Sequence, residues 1–294
     1  PHILTPALSN RSSFAIGAGD LFATGTAGVT SIIFKPNTPE SMHYFLAILN
    51  SKLISHFITS HSPVFSGNYY KFSGPYLKNV PIKKIYFGES DKSLEKTYEK
   101  IIKLFKNLVL AGSMGKNDIE EKGSLGGSEY SFINQISKII QKSKLAHDLL
   151  VYLAKQISKR KNDQIKLVNS FWDDLAGVSK TSFFENLRNK GKWERSLAKD
   201  LACERYVDPE SRSTKHLDES LGWDEKAFKA FAGMLIGETS VTPAMMEVYR
   251  NHAPEYQELS SRIEETDKLI DQIVYRLYGL TDEEIEIVES SFDE

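Results

Sequence analysis

Three stretches of this chain carry apolar side chains at alternating intervals of four and three residues. They are Leu94, Tyr98, Ile101, Phe105 and Leu108; Phe132, Ile136, Ile139, Ser143, Ala146, Leu150, Leu153 and Ile157; and Leu259, Ile263, Thr266, Ile270, Ile273 and Leu277. This spacing lines one face of an α-helix with a narrow seam of the coiled-coil type. Three such helices are expected to bury their seams against one another as a bundle. The first predicted helix covers 91–110 and carries Lys96, Lys100, Lys103 and Lys106 on other faces, either as a solvated surface or as phosphate contacts. The second ends near Lys159-Arg160-Lys161, and the third runs over about 254–278. Gly279 stops the third helix, and Thr281 with Glu284 forms a capping box for a final short acidic one. Between the long helices the pattern predicts shorter ones at 165–175, 182–189, 193–203, 224–235 and 243–249, with Trp172, Trp193 and Trp223 as core anchors.

The first ninety residues read differently. Short runs at 12–16, 21–24 and 29–34 are predicted strands separated by glycine turns. Gly17-Ala18-Gly19 lacks the third glycine and the following helix of a nucleotide-binding loop, so a hairpin turn is expected there. A helix is predicted over 39–60, with Thr38 as N-cap and Met42, Phe45, Leu46, Leu49, Leu53 and Phe57 on its buried face. The loop 61–79 interleaves Tyr69, Tyr70, Phe72 and Tyr76 with Asn68, Lys71 and Lys78. Such a loop can hold phosphates and reach base edges; equally, its aromatics can cap the core while its lysines stay solvated. Residues 82–85 alternate as a strand that exposes Lys83 and Lys84. Residues 111–129 are rich in glycine and serine and read as a flexible linker. Asp118, Glu120 and Lys122 lie in it, where nothing would fix them as a nuclease metal site.

The expected fold is therefore α+β: a small mostly-β lobe at 1–90, a basic connecting helix at 91–110, the linker at 111–129 and a helical bundle at 130–294. A single cysteine, Cys203, excludes an internal disulfide framework and a Cys-based zinc site, and a cytoplasmic location is expected. No apolar run approaches the length of a membrane span, so no membrane partner is expected. The net charge of −2 conceals balances of +4 over 1–90, +7 over 91–205 and −13 over 206–294. A basic body with an acidic end suits nucleic-acid contact on one side; it also suits attraction between two parts of one protein. The seven histidines show no metal-ligand spacing, and no acid, base, nucleophile and metal set converges. Neither a catalytic residue nor a metal site is expected. The chain begins at Pro1 on strand-like sequence and is expected to be part of a longer protein.

Three blocks carry a resemblance: Leu46-Ala47-Ile48-Leu49-Asn50-Ser51-Lys52-Leu53, Gly67-Asn68-Tyr69-Tyr70-Lys71-Phe72, and Tyr76-Leu77-Lys78-Asn79-Val80-Pro81-Ile82. In that order they resemble the C-terminal specificity domain of TaqI-like DNA methyltransferases and single-chain type II (IIG-like) restriction-modification enzymes. Residues 270–285, IDQIVYRLYGLTDEEI, are similar to the usual C-terminus of the same enzymes. The resemblance implies a target-recognition module that reads double-stranded DNA through the major groove, beside an upstream methyltransferase domain of the same parent chain. Such parents are adenine-specific and use S-adenosylmethionine; no cofactor is implied for this chain, which lacks their Asn-Pro-Pro-aromatic motif. The DNA-contact candidates are Arg11, Asn68, Tyr69, Tyr70, Lys71 and Lys78, with Lys83 and Lys84 on the backbone. The rival expectation is a helical interaction domain with no DNA affinity of its own.

Overall fold

A computed structural model describes residues 2–17, 28–65, 68–87, 92–105, 143–179, 220–236 and 241–292. The chain forms two compact units: residues 1–158 with 264–294, and residues 159–263. The expected boundaries at 90, 110 and 130, the linker 111–129, and the helices expected at 182–189 and 193–203 all fall outside the described residues.

In the first unit one extended run supplies strands to two small sheets. β1 (His2–Pro6) is the centre of an antiparallel sheet, between β3 (Ala15–Gly17) and β4 (Val29–Ile33). Pro6, which has no N–H to give a ladder, closes β1 opposite Val29. Ala7 then turns the chain, its N–H bonded to the Gly28 carbonyl at 2.8 Å. β2 (Leu8–Ser9) enters a second sheet, ordered β2-β6-β5, with β5 (Val64–Phe65) and β6 (Tyr69–Lys71). Gly17 lies inside β3 opposite His2, where an added Cβ would stand 2.1 Å from the imidazole Nε2. Glycine is required there for close approach, and the position does not fit a cofactor loop.

The helix expected over 39–60 is two helices, α1 (Met42–Asn50) and α2 (Lys52–His61). Ser51 separates them with extended backbone, its hydroxyl donating to the Ile48 carbonyl at 2.7 Å and receiving the Ile54 N–H at 3.4 Å. The N-cap of α1 is Ser41, not Thr38: the Thr38 hydroxyl is spent on the Lys35 carbonyl, in a turn where Asn37 takes a left-handed φ of 67°. A single helical turn, α3 (Gly74–Leu77), follows β6. Residues 81–87 belong to no sheet, contrary to the strand expected at 82–85.

α4 (Lys92–Phe105) buries Ile101 and exposes Lys96, Lys100 and Lys103, as the seam requires. α5 (Ser143–Val178) buries Ala146, Leu150, Leu153 and Ile157. It does not stop at the basic run 159–161; the helix expected at 165–175 is its continuation. α7 (Pro243–Tyr278) likewise joins the helices expected at 243–249 and 254–278, with Pro254 inside it on an exposed position. There, water can meet the carbonyl that proline leaves without a donor. Ile263, Thr266, Ile270, Ile273 and Leu277 are all buried, so the third seam is a packing face. α8 (Asp282–Ser290) begins on the expected capping box, after Gly279 turns the chain with a φ of +76°.

The second unit has its own core. Phe171 and Leu175 of α5 pack with Phe228 of α6 (Glu225–Ile236) and with Met245 and Tyr249 of α7. The Phe228 and Tyr249 rings stack at 4.4 Å, and the Tyr249 hydroxyl donates to the Trp223 carbonyl at 2.5 Å. Burial and the nearby Asp224 and Glu225 push the Tyr249 phenol up to about 12. Trp172 and Trp223 join this core as expected; Trp193 lies outside the described residues.

Candidate nucleic-acid interface

The second sheet gathers five of the eight predicted DNA-contact residues. β6 supplies Tyr69, Tyr70 and Lys71, and pairs with β2 through Leu8↔Lys71 and Ser9↔Tyr70. Arg11 stands two residues beyond Ser9, at the end of the sheet where β6 begins. Asn68 immediately precedes β6 with a φ of 56°. It is the third residue of the connection between Phe65 and Tyr69, which face each other across the hairpin. A left-handed residue in that place is what a three-residue hairpin loop requires, and asparagine tolerates it.

Three side chains of the Asn50–Ser55 stretch fix the strand that carries Arg11. The Asn50 amide receives the Phe14 N–H at 2.8 Å and donates to the Phe14 carbonyl at 2.9 Å, imitating a neighbouring strand. The Ser55 hydroxyl receives the Ser12 N–H at 2.9 Å. Ser51 makes the break that allows α2 to start beside that segment. β6 is held in turn by Ser62, whose hydroxyl donates to the Lys71 carbonyl, and by the buried Phe72, whose ring meets Phe14 edge-on at 6.1 Å.

The lysines differ among themselves. Lys71 is half-buried and sets its ammonium 4.9 Å from the centre of the Phe65 ring. Lys78 is exposed at the C-cap of α3. Lys83 and Lys84 are exposed on the strap 81–85, whose backbone is tied down by side chains. The Tyr278 hydroxyl donates to the Pro81 carbonyl at 2.6 Å and receives the Lys83 N–H at 3.1 Å; Tyr44 donates to the Lys83 carbonyl at 2.6 Å. Burial raises both phenols above their usual range. His56 and His61 are engaged inside the fold, with the Ser291 hydroxyl and the Phe57 carbonyl.

The charge around these residues is one-sided. Asp20, Glu40 and Glu89 are the three acids of residues 1–90, so 41–88 contain none. Sequence reasoning missed Val64 and Phe65, because two-residue strands are too short to show an alternation. The available signal was their place next to Asn68 in a stretch without acids. Among the described residues no group of His, Cys, Asp and Glu is placed to hold a metal ion, and no helix is long and apolar enough to cross a membrane.

The 270–285 block also belongs to the first unit. The Asp271 carboxylate receives the Lys52 N–H, the first of α2, at 2.8 Å. Lys52 extends its ammonium to Glu289, which also receives the Tyr275 hydroxyl at 2.7 Å. Asp271 is almost fully enclosed, and burial pushes its carboxyl up to about 7, against the opposing pull of Lys52 and with help from Asp267 and Glu289.

An α+β unit with a rigid, acid-free hairpin is the geometry of a recognition module, and the comparisons agree over the same residues. Residues 1–82 match the family model of the TaqI-like C-terminal specificity domain. The chain is similar to the type II methyltransferase M.HincII of Haemophilus influenzae and to M.HindII of Haemophilus influenzae strain Rd, each 35% identical over 78 residues. The matched stretch is 26% of this chain and 15% of either relative's length. No solved structure matches significantly. Arg11, Asn68, Tyr69, Tyr70, Lys71 and Lys78 fall within the matched residues, Lys83 and Lys84 just beyond them, and the 270–285 block well outside.

Proposed function

We propose that this chain is a sequence-specific DNA-recognition module of a restriction-modification enzyme, an adenine-specific methyltransferase with or without a fused nuclease. Its partners are double-stranded DNA and the methyltransferase domain of the parent, which holds S-adenosylmethionine; this chain binds and orients. The observation that carries the reading is the convergence of Arg11, Asn68, Tyr69, Tyr70 and Lys71 on one short hairpin sheet inside an acid-free stretch that matches a specificity domain. A two-stranded ribbon of this kind fits the major groove, where base pairs present distinct donor and acceptor patterns. Arg11 and Asn68 are the side chains suited to base edges. Lys78, Lys83 and Lys84 are suited to phosphates, where they set register without reading sequence.

The test is fluorescence anisotropy of the chain with a random-sequence duplex pool across a salt series, alongside the variant Lys71→Ala/Lys78→Ala. Binding should weaken steeply with salt, and the double variant should bind less tightly with a salt slope smaller by one to two, about 0.9 per lost phosphate contact. Binding indifferent to salt and to both lysines would exclude the reading and favour a helical interaction domain.

A further inference from the structure

The hairpin presents an apolar surface that no part of the described fold covers. Val64, Phe65 and Tyr69 remain 63%, 39% and 44% exposed, although Phe65 and Tyr69 are directly opposed across the strands. β5 is the outer strand of its sheet, so this surface stands at an edge. The Phe65 ring is not loose, because the Lys71 ammonium lies over it at 4.9 Å. That contact also directs Lys71 toward the ring, away from the role of a free phosphate ligand.

We infer that Phe65, backed by Tyr69, is a specificity-determining residue of the hairpin, packing against the 5-methyl group of a thymine in the major groove. The inference rests on the DNA-recognition reading above and adds to it a residue and a chemical target. Charge decides the occupant. An exposed apolar ridge can cover a protein surface or a nucleic acid, but this one has Arg11, Asn68 and Lys71 around it and no acid between 41 and 88. Phosphates flanking a groove complement such a rim. A phenyl ring can neither donate nor accept a base-edge hydrogen bond in the plane of the pair, so its contribution to readout is apolar. The thymine methyl is the one apolar group the major groove offers.

The test begins by enriching bound sequences from the random duplex pool with the complete chain. Each thymine of the enriched site is then replaced by deoxyuridine, which removes only the methyl. At one or two positions the wild-type chain should lose about 3- to 10-fold in affinity, and Phe65→Ala should bind the thymine and uracil sites equally. Phe65→Leu, which keeps an apolar side chain on the outer strand, should retain part of the discrimination and serves if the alanine variant does not fold. An enriched site that is indifferent to uracil, or that Phe65→Ala still discriminates, would overturn the inference while leaving DNA recognition standing. Failure of the pool to enrich any sequence would overturn both. Unchanged DNA affinity in Phe65→Ala, with weaker association to a methyltransferase domain, would assign the ridge to a protein interface instead.

Discussion

Asp271 shows how one side chain can serve two elements and carry a pH signature. It lies on α7, yet it accepts the first N–H of α2, a donor that the helix itself leaves without a partner. The ionisable groups facing it are Lys52, Asp267 and Glu289. Its carboxyl titrates at about 7 in the fold against 3.8 when free, so between those values the folded chain holds a proton that the unfolded chain has released. Stability from this group is therefore greatest in acid, falls as pH rises toward 7, and is flat above. The slope approaches ~1.4 kcal/mol per pH unit for one proton. Asp271→Asn keeps an oxygen for the Lys52 N–H and removes the titration. Urea unfolding at pH 5 and pH 8 should show the stability difference moving in favour of the asparagine variant at the higher pH. A constant difference would mean that Asp271 is ionised throughout. Nothing in the local sequence announces this contact, because its partner is 219 residues away. The capping box of Thr281 and Glu284 was legible, since both of its partners lie within one turn.

At the scale of elements, periodicity was readable where side chains alone decide the outcome. Ala146, Leu150, Leu153 and Ile157 are buried as their spacing demands, as are Ile263 to Leu277. It was misleading where backbone bonding decides. The apolar spacing of 42–57 runs unbroken through Ser51, while the helix does not, because serine satisfies both helix ends with its own hydroxyl. The strap 81–85 alternates like a strand, yet its N–H and C=O groups go to Tyr278, Tyr44 and Glu40. Tyr278→Phe removes two of these bonds without changing the packed ring. It should cost about 1–2 kcal/mol and leave the Lys83 amide poorly protected. Hydrogen exchange at Lys83 reads this directly; unchanged protection would show that Tyr278 does not hold the strap. The five residues gathered at the hairpin were each named from the loop's composition, but their convergence was not visible. Strands of two and three residues, with partners sixty positions apart, leave no local pattern.

At the scale of the whole molecule, the first unit is discontinuous: its sheets and first helices come from the start of the chain and its brace from the end. Removing 279–294 would delete the Lys52–Glu289 ion pair, the Tyr275–Glu289 and His56–Ser291 hydrogen bonds and the buried Val288. The loss should be about 2–4 kcal/mol, most of it from the apolar burial, since a half-exposed ion pair contributes little. Hydrogen exchange should rise across α2 (52–61) and stay unchanged in α6 (225–236), which is built into the other core. Uniform loss of protection would instead indicate that the chain unfolds as one.

The bond between Lys52 and Asp271 also bears on the order of events during synthesis. A ribosome releases the strands and α2 long before it reaches Asp271, so the β-structure must wait for the end of the chain before its brace can dock. Closing so long a span makes this contact a late and slow one compared with the local turns of the helices. Until then, the part of the protein that carries the hairpin stays incompletely tied, and it becomes fully built among the last.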